Sequence, residues 1–184
     1  MAGQLRIIGG QWRGRRLRFA GGPGLRPTAD RNRETLFNWL QGQVDGARVL
    51  DLFAGSGALG LEALSRGAAS AVFVEHSREA CRSLEQNIAM LDAAGRAEVI
   101  SGDARRFLRD RPAPFDLIFL DPPFAADLLD PALAALAAWS LPGHSRIYVE
   151  APLHPAPPEL PTGWGLCRER SAGAVWFALL RPLS

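Results

Sequence analysis

The stretch Phe115-Asp116-Leu117-Ile118-Phe119-Leu120-Asp121-Pro122-Pro123-Phe124 decides the fold class. Its apolar run from Leu117 to Leu120 is typical of a strand that is buried on both faces of a parallel sheet. The two prolines end the strand, because neither has an N–H to donate to a neighbouring strand. Asp121 is therefore predicted to lie at the carboxyl end of a central strand, where open α/β sheets bind their ligands.

Asp121, Pro122 and Phe124 together suit a flat ring that carries an amino group. The carboxylate and the Pro122 carbonyl can each accept an N–H, and the Phe124 ring offers a face for stacking. Taken alone, an Asp-Pro pair is more often a rigid turn after a strand. The rest of the chain has to decide between these two interpretations.

A glycine loop supplies a second feature of such a sheet. Residues 48–53 form a short apolar strand, and the glycine-rich loop 54–60 joins it to a helix. The loop satisfies the Gly-x-Gly-x-x-Gly fingerprint of dinucleotide-binding proteins. However, Asp51 stands directly before the loop, where a carboxylate would repel a pyrophosphate and attract a cationic amino group. Glycines let the backbone approach a ligand closely whether or not the ligand has phosphates.

Two further predicted strands also end in acids. One ends at Glu75, at about the distance from the glycine loop at which an acid commonly holds ribose hydroxyls. The other ends at Asp103, which can accept an adenine amino proton beside the backbone N–H of Ala104. Asp103 can equally well cap the helix that follows it, and both roles are compatible.

The alternation of strands and helices predicts a doubly wound α/β fold. We expect a mostly parallel, seven-stranded, Rossmann-like sheet that closes with an antiparallel pair, 166–170 and 174–180. Residues 26–184 are predicted to form this domain, and residues 1–25 a basic arm that contains a small β-hairpin. A helix is expected over 30–41.

The formal net charge of +2 hides a basic N-terminus. Residues 1–33 hold eight arginines against the single acid Asp30, whereas the rest holds thirteen arginines against eighteen acids. A basic arm on a mildly acidic body indicates a nucleic acid as partner, with a merely solvated face as the alternative. Trp12 either stacks on a base or pins the arm to the body. The candidate RNA contacts are Arg6, Trp12, Arg13, Arg15, Arg16, Arg26, Arg31 and Arg33.

Several function classes are disfavoured by composition. No apolar run approaches the roughly 20 residues of a membrane span, and no signal peptide is evident. Cys81 and Cys167 match no metal-ligand spacing and are expected to be reduced thiols. We therefore expect a cytoplasmic protein with no resident metal, and a monomer is favoured.

The site residues resemble those of class I methyltransferases. Residues 51–57 (DLFAGSG) are similar to the S-adenosylmethionine loop of that class, and residues 121–124 (DPPF) to its motif for methylating exocyclic amino groups. The segments 6–15, 26–40 and 148–150 look like the RsmD family. Members of that family are bacterial 16S ribosomal RNA guanine-N2 methyltransferases.

The resemblance covers about residues 5 to 181 and implies S-adenosylmethionine as cofactor. It also implies 16S rRNA as substrate, within an assembled or assembling 30S subunit. The implied catalytic residues are Asp121, Pro122, Pro123 and Phe124. The implied cofactor-binding residues are Asp51, Phe53, Ala54, Gly55, Ser56, Gly57, Glu75, Asp103 and Ala104.

Two other functions stay open at the level of the residues. A DNA or other RNA amino-methyltransferase, for example of the adenine-N6 type, would use the same Asp-Pro-Pro-Phe motif. An NAD-dependent oxidoreductase would use the glycine fingerprint, but the chain contains no Lys for a Tyr-Lys pair. No residue near Asp121 distinguishes guanine from adenine, so guanine rests on the family resemblance.

Overall fold

The computed structural model describes residues 3–20, 30–110, 114–124, 127–154 and 156–183. The strands in these residues are β1 (Gly3–Arg6), β2 (Arg16–Phe19), β3 (Arg48–Asp51), β4 (Ser70–Glu75), β5 (Ala97–Ser101), β6 (Leu117–Leu120), β7 (Arg146–Pro152), β8 (Trp164–Ala172) and β9 (Val175–Pro182). The helices are α1 (Asp30–Trp39), α2 (Ala58–Ser65), α3 (Arg78–Met90), α4 (Ala104–Asp110) and α5 (Leu129–Ala137).

Seven strands form one sheet in the order β5-β4-β3-β6-β7-β9-β8. Neighbouring strands from β5 to β7 run parallel, and β9 runs antiparallel to both β7 and β8. This confirms the predicted doubly wound, mostly parallel sheet with an antiparallel pair at the end. The strand order reverses between β3 and β6, and ligands bind at such a point in open α/β sheets.

Helices cover both faces of the sheet. Side chains of a strand alternate between faces, so Phe119 joins the core layer that includes α1, α2 and α3, while Ile118 joins the layer with α4 and α5. All four residues of β6 are buried, which is why the strand reads as a continuous apolar run. No helix in the described ranges is long and apolar enough to cross a membrane.

Element boundaries differ from their predictions by a few residues. The helix expected over 30–41 ends at Trp39. The closing strands, expected over 166–170 and 174–180, extend over Trp164–Ala172 and Val175–Pro182, and β7 pairs with β9 as far as Pro152, which lies opposite Val175. The predicted boundary between arm and domain, at residues 25 and 26, lies outside the described residues.

The predicted N-terminal hairpin is present and packs on the body. β1 pairs antiparallel with β2, and both strands bury a leucine, Leu5 and Leu17, in the same core layer as α2. The turn region approaches the end of α2 so closely that a Cβ on Gly10 would lie 1.9 Å from the Ser65 carbonyl oxygen. Gly10 also has a φ of +76°, so only glycine fits there.

A buried carboxylate, Glu62 of α2, fastens this hairpin. Its two oxygens accept the backbone N–H groups of Ile8 (2.9 Å) and Gly9 (2.7 Å), and Oε1 also accepts Arg66 Nε at 2.8 Å. The side chain of Glu62 is fully buried. Since these acceptors replace water for otherwise unpaired donors, Glu62 defines where the hairpin sits.

The structure corrects the RNA-contact prediction for Arg33. Its side chain is fully buried, donates to the Arg6 carbonyl (2.8 Å) and to Asp30 Oδ1 (2.6 Å), and lies 4.0 Å from Glu62 Oε2. A guanidinium in this position ties α1 to the hairpin and α2 and has no surface to offer a phosphate.

The alternative role predicted for Trp12, as a pin, is the one that the packing supports. Trp12 is buried, its backbone N–H donates to Ser65 Oγ at 3.0 Å, and the Arg96 guanidinium lies 5.5 Å from the centre of its ring. A base cannot stack on this ring while it is packed against the body.

Replacement of Glu62 tests the anchor. We expect Glu62→Ala to lower the free energy of unfolding by about 3–5 kcal/mol, because the N–H groups of Ile8 and Gly9 and the Arg66 guanidinium lose their buried acceptor. Urea-induced unfolding measures this loss. Glu85→Ala is the matched control, since Glu85 is exposed on α3 and such changes stay within about 0.5 kcal/mol. Equal stability of the two variants would contradict the anchoring role.

Candidate active site at the carboxyl edge of the sheet

Five neighbouring parallel strands, β5, β4, β3, β6 and β7, place acids at one edge of the sheet. In sheet order these acids are Asp103, Glu75, Asp51, Asp121 and Glu150. Four of them were predicted from the sequence. Asp51 and Asp121 stand on the two sides of the point where the strand order reverses, so the structure brings the loop acid and the Asp-Pro-Pro-Phe acid together at the predicted ligand position.

Asp51 and Glu75 hold the glycine loop in place. Asp51 Oδ2 accepts the N–H of Gly60 at 2.9 Å, and Glu75 Oε2 accepts the N–H of Gly55 at 2.7 Å. Gly57 has a φ of +77°, and a Cβ on it would lie 2.4 Å from Leu84 of α3. The loop is therefore a compact turn whose backbone lies between the two carboxylates.

The other predicted cofactor residues lie in or beside this turn. Ala54 donates its N–H to the Val74 carbonyl at 3.0 Å, which joins the loop to β4. Phe53 is partly buried, and Ser56 is buried. Ala104 is the first residue of α4, directly after Asp103. The backbone thus brings the predicted loop residues together. Ala104 lies apart from them, after β5, which is two strands away from β3 in the sheet.

Burial makes Asp51 an unusual acid. It raises the pKa of Asp51 to about 7, the Gly60 N–H opposes this, and the charges of Asp121 and Glu75 add to it. Three carboxylates that influence one another in a buried place repel each other when ionised. A cation held among them would relieve this repulsion, so the edge of the sheet suits a positively charged ligand.

Glu150 extends this cluster behind Asp121. The Tyr148 hydroxyl donates to Glu150 Oε1 at 2.6 Å, and both side chains are buried. Burial raises the pKa of Glu150 to about 8, the Asp121 charge adds to the rise, and the Tyr148 hydroxyl opposes it. Burial and the nearby carboxylates also raise the pKa of Tyr148.

The sequence analysis assigned no role to Glu150. In the sequence it follows the apolar run 147–149, so the pattern that singled out the other four acids applies equally to it. Its position next to Asp121 follows from the register, in which Leu120 lies opposite Val149.

The residues after β6 differ in exposure. Asp121 is partly buried and Pro122 is buried, whereas Pro123 and Phe124 are exposed. The Phe124 side chain is 41% exposed, a high value for a large apolar ring. A ring held out at the edge of a cluster of carboxylates is available to stack on a flat ligand.

Asp103 caps the helix that follows it, as one of its two predicted roles requires. Its Oδ1 accepts the N–H groups of Arg105 (2.9 Å) and Arg106 (3.1 Å). Burial acts to raise the pKa of Asp103, but these hydrogen bonds and the Arg105 guanidinium outweigh it, so the pKa is lowered. A groove of about 640 Å³ opens beside Asp103, between it and His76. This groove lies at the carboxyl ends of β4 and β5. The other role of Asp103, binding of an adenine amino group, stays a prediction.

The candidate RNA contacts fall into three groups. Arg6, Arg13, Arg15, Arg16 and Arg31 are exposed and stay predictions, as no ligand tests them. Arg33 and Trp12 are buried, as described above. Arg26 lies outside the described residues. In the described ranges no group of three or more potential ligands is arranged to hold a metal ion.

The fold and this edge define a class of protein. A doubly wound sheet with a glycine loop after its first central strand, acids at the strand ends and an Asp-Pro-Pro-Phe corner is a Rossmann-like methyltransferase.

Comparisons with known proteins give the family. Residues 5–181 match the family model described as Conserved hypothetical protein 95, and the chain belongs to this family, the RsmD family. It is 48% identical over 180 residues to ribosomal RNA small subunit methyltransferase D of Escherichia coli K12. The matched region covers 97% of this chain and 90% of that protein.

Two further relatives agree with this. The Haemophilus influenzae protein of the same name is 41% identical over 182 residues, covering 96% of this chain and 93% of the other. The solved structure of the putative methyltransferase yhhF from Escherichia coli superposes with a TM-score of 0.90 at 47% identity, covering 98% of this chain and 99% of that one. Membership in a methyltransferase family argues against the alternative of an NAD-dependent oxidoreductase.

The raised pKa values of Asp51 and Glu150 predict how stability depends on pH. Both carboxyls bind their protons more tightly in the folded protein than in the unfolded chain, where the values are 3.8 and 4.5. The ligand-free protein should therefore lose stability as the pH rises from about 4 to about 8. Asp103 and Asp116, whose pKa values are lowered, act in the opposite sense and below this range.

Glu150→Gln isolates the contribution of Glu150, since the amide oxygen can still accept the Tyr148 hydroxyl. Thermal unfolding between pH 5 and pH 8.5 should show a smaller loss of melting temperature in this variant than in the unchanged protein. Glu98→Gln, on an exposed position of β5, should follow the unchanged protein. Parallel curves of melting temperature against pH for all three proteins would show that the pKa of Glu150 is not raised.

Proposed function

We propose that this protein transfers the methyl group of S-adenosylmethionine to the exocyclic N2 of a guanine in 16S rRNA. Its substrate is the small ribosomal subunit, assembled or assembling. The observation that carries the proposal is the position of Asp121, beside the Asp51 loop and three residues before the exposed ring of Phe124. The names of the relatives, ribosomal RNA small subunit methyltransferase D, support RNA of the small subunit as the substrate.

The residues present fit S-adenosylmethionine. Its sulfonium and amino groups are cationic, and the cluster of Asp51, Glu75 and Asp121 is where burial and mutual repulsion favour a cation. The glycine loop leaves room for the ligand to approach the backbone. Glu75, at the end of β4, would bind the ribose, and the groove beside Asp103 would accept the adenine ring.

The corner after β6 supports chemistry on an amino group. An exocyclic guanine amine is a poor nucleophile, because its lone pair is delocalised into the ring. Asp121 Oδ and the Pro122 carbonyl would accept its two N–H groups and turn the lone pair toward the methyl donor. Phe124 would stack on the base, which has to leave its helix or loop to reach the pocket.

The protein's contribution is therefore mainly position. Held by the Asp51 loop, S-adenosylmethionine would supply an electrophilic methyl group, whose bond to sulfur would break as its bond to the amine nitrogen forms, with a neutral thioether as the leaving group. Asp121 would accept the proton that the methylated amine has to release. Holding the two reactants in line replaces a bimolecular encounter by a unimolecular step.

The basic charge of the hairpin is an argument for a large polyanionic substrate. Arg13, Arg15 and Arg16 are exposed on a hairpin that Glu62 fixes to the body. Arginines bind phosphates bidentately, and contacts to phosphates set the position of a nucleic acid without reading its bases. The hairpin would thus present the RNA to the catalytic edge in a fixed register.

Methyl transfer by two variants tests the catalytic corner. We expect Asp121→Asn to lower kcat about 100-fold or more, since it removes a preorganised charge from the reacting amine. Phe124→Ala should weaken binding of the RNA by roughly 1–3 kcal/mol, the usual contribution of a stacked base. Tritium transfer from S-adenosylmethionine to undermethylated small subunits measures both effects.

Two controls make this result specific. Asp130→Asn, an exposed acid in the first turn of α5, should behave like the unchanged protein. Calorimetry should show that the unchanged protein binds S-adenosylmethionine and not NAD, and that Phe124→Ala keeps this affinity. Rates close to the unchanged protein in both corner variants, with cofactor binding intact, would remove Asp121 and Phe124 from the mechanism.

A further inference from the structure

A second surface feature lies between the hairpin and the methyltransferase body. A groove of about 470 Å³ runs between β2 and α3. We call it the hairpin groove, and the residues that matter for its chemistry are Arg16 and Arg18 of β2 and Arg82, Ser83 and Asn87 of α3. Arg18 and Arg82 were not among the candidate RNA contacts.

The hairpin groove carries positive charge that the protein does not neutralise. Arg16, Arg18 and Arg82 are exposed. Among the described residues, the ion pairs involve other arginines, namely Arg6, Arg33, Arg48, Arg66 and Arg105. A single acid, Glu79, lines the groove against these three cations. The balance favours an anionic ligand.

The backbone of the groove is fixed. The Arg18 carbonyl accepts two side-chain donors from α3, Asn87 Nδ2 at 2.8 Å and Ser83 Oγ at 3.1 Å. Arg15 donates to the Met90 carbonyl at 3.3 Å, farther along the same helix. The strand therefore cannot move away from the helix without losing these bonds, and the two walls that carry the arginines are held at a fixed spacing.

The groove also leads toward the catalytic edge. α3 begins at Arg78, three residues after Glu75, and its Leu84 packs against Gly57 of the cofactor loop. The lining residues run along α3 from Glu79 to Met90, a length of about 17 Å at 1.5 Å per residue. A strand of phosphates lying in the groove would reach the edge where Asp51 and Asp121 stand.

We propose that the hairpin groove binds phosphates of the RNA segment that flanks the target nucleotide, with Arg18 and Arg82 as direct contacts. This inference rests on the proposed function, since it assumes an RNA substrate. Two arginines from different elements offer a guanidinium on each wall, and each can bind a phosphate with two parallel hydrogen bonds. The groove sets the position of the RNA while the corner at Asp121 receives the base.

Single and double replacement of these arginines tests the proposal. Arg18→Gln, Arg82→Gln and the double variant are compared in their affinity for a small-subunit rRNA fragment, measured by fluorescence anisotropy at several salt concentrations. Arg109→Gln is the matched control, because Arg109 is exposed in the last turn of α4, whose core layer lies on the opposite face of the sheet.

We expect each groove replacement to weaken RNA binding and to reduce the slope of log affinity against log salt concentration by about 1, as the loss of one phosphate contact does. The control should change neither quantity. The KM for RNA should rise, while kcat at saturating RNA and the affinity for S-adenosylmethionine stay as they were.

Unchanged RNA affinity and an unchanged salt slope in the double variant would contradict the proposal that the hairpin groove binds RNA phosphates. So would a loss of kcat with unchanged RNA affinity, because it would assign the arginines to the shape of the catalytic edge. Failure of the proposed function looks different. In that case the unchanged protein itself transfers no methyl group to the RNA, whatever the groove variants do.

Discussion

The structure depends on the crowding of carboxylates at one edge of its sheet. Asp51 ends β3, Asp121 follows β6, and Glu150 lies in the neighbouring β7. Burial together with mutual repulsion raises the pKa of Asp51 to about 7 and of Glu150 to about 8. Such an arrangement costs stability in the ligand-free protein, because buried like charges are unfavourable. It would be advantageous if a cation and an amino group bind there, as the proposed function requires, and this chemical demand would account for the acids, the glycine loop and the exposed ring together.

Helix α2 connects this edge to the basic hairpin. Its first turn is fixed to the site, because the N–H of Gly60 is bound by Asp51. Its next turn is fixed to the hairpin, because Glu62 binds the N–H groups of Ile8 and Gly9. The surface that would hold RNA phosphates and the edge that would carry out the chemistry therefore share one short rigid element. This explains how contacts without base specificity can still place one nucleotide correctly.

The parts of the account that depend on local patterns were predictable from the sequence. The apolar run of β6, the prolines after it and the glycine loop each reflect a local backbone constraint, so the sheet and Asp121 followed from them. The fate of Arg33 did not, because its burial depends on Glu62, a residue of another element, and arginines are seldom fully buried. Trp12 stayed ambiguous for the same reason. Glu150 could have been predicted, since in the sequence it follows an apolar run as Asp51 and Asp121 do.

The most direct test of the central claim is the identity of the methylated nucleoside. Undermethylated small ribosomal subunits are incubated with the protein and S-adenosylmethionine that carries a labelled methyl group, and the nucleosides of the 16S rRNA are then separated by mass spectrometry. We predict label in N2-methylguanosine at one position, and labelling about 100-fold slower or more after Asp121→Asn. Label in N6-methyladenosine, or in nucleosides of free DNA, would contradict guanine N2 as the acceptor. Labelling at an unchanged rate after Asp121→Asn would contradict the role of the carboxylate edge.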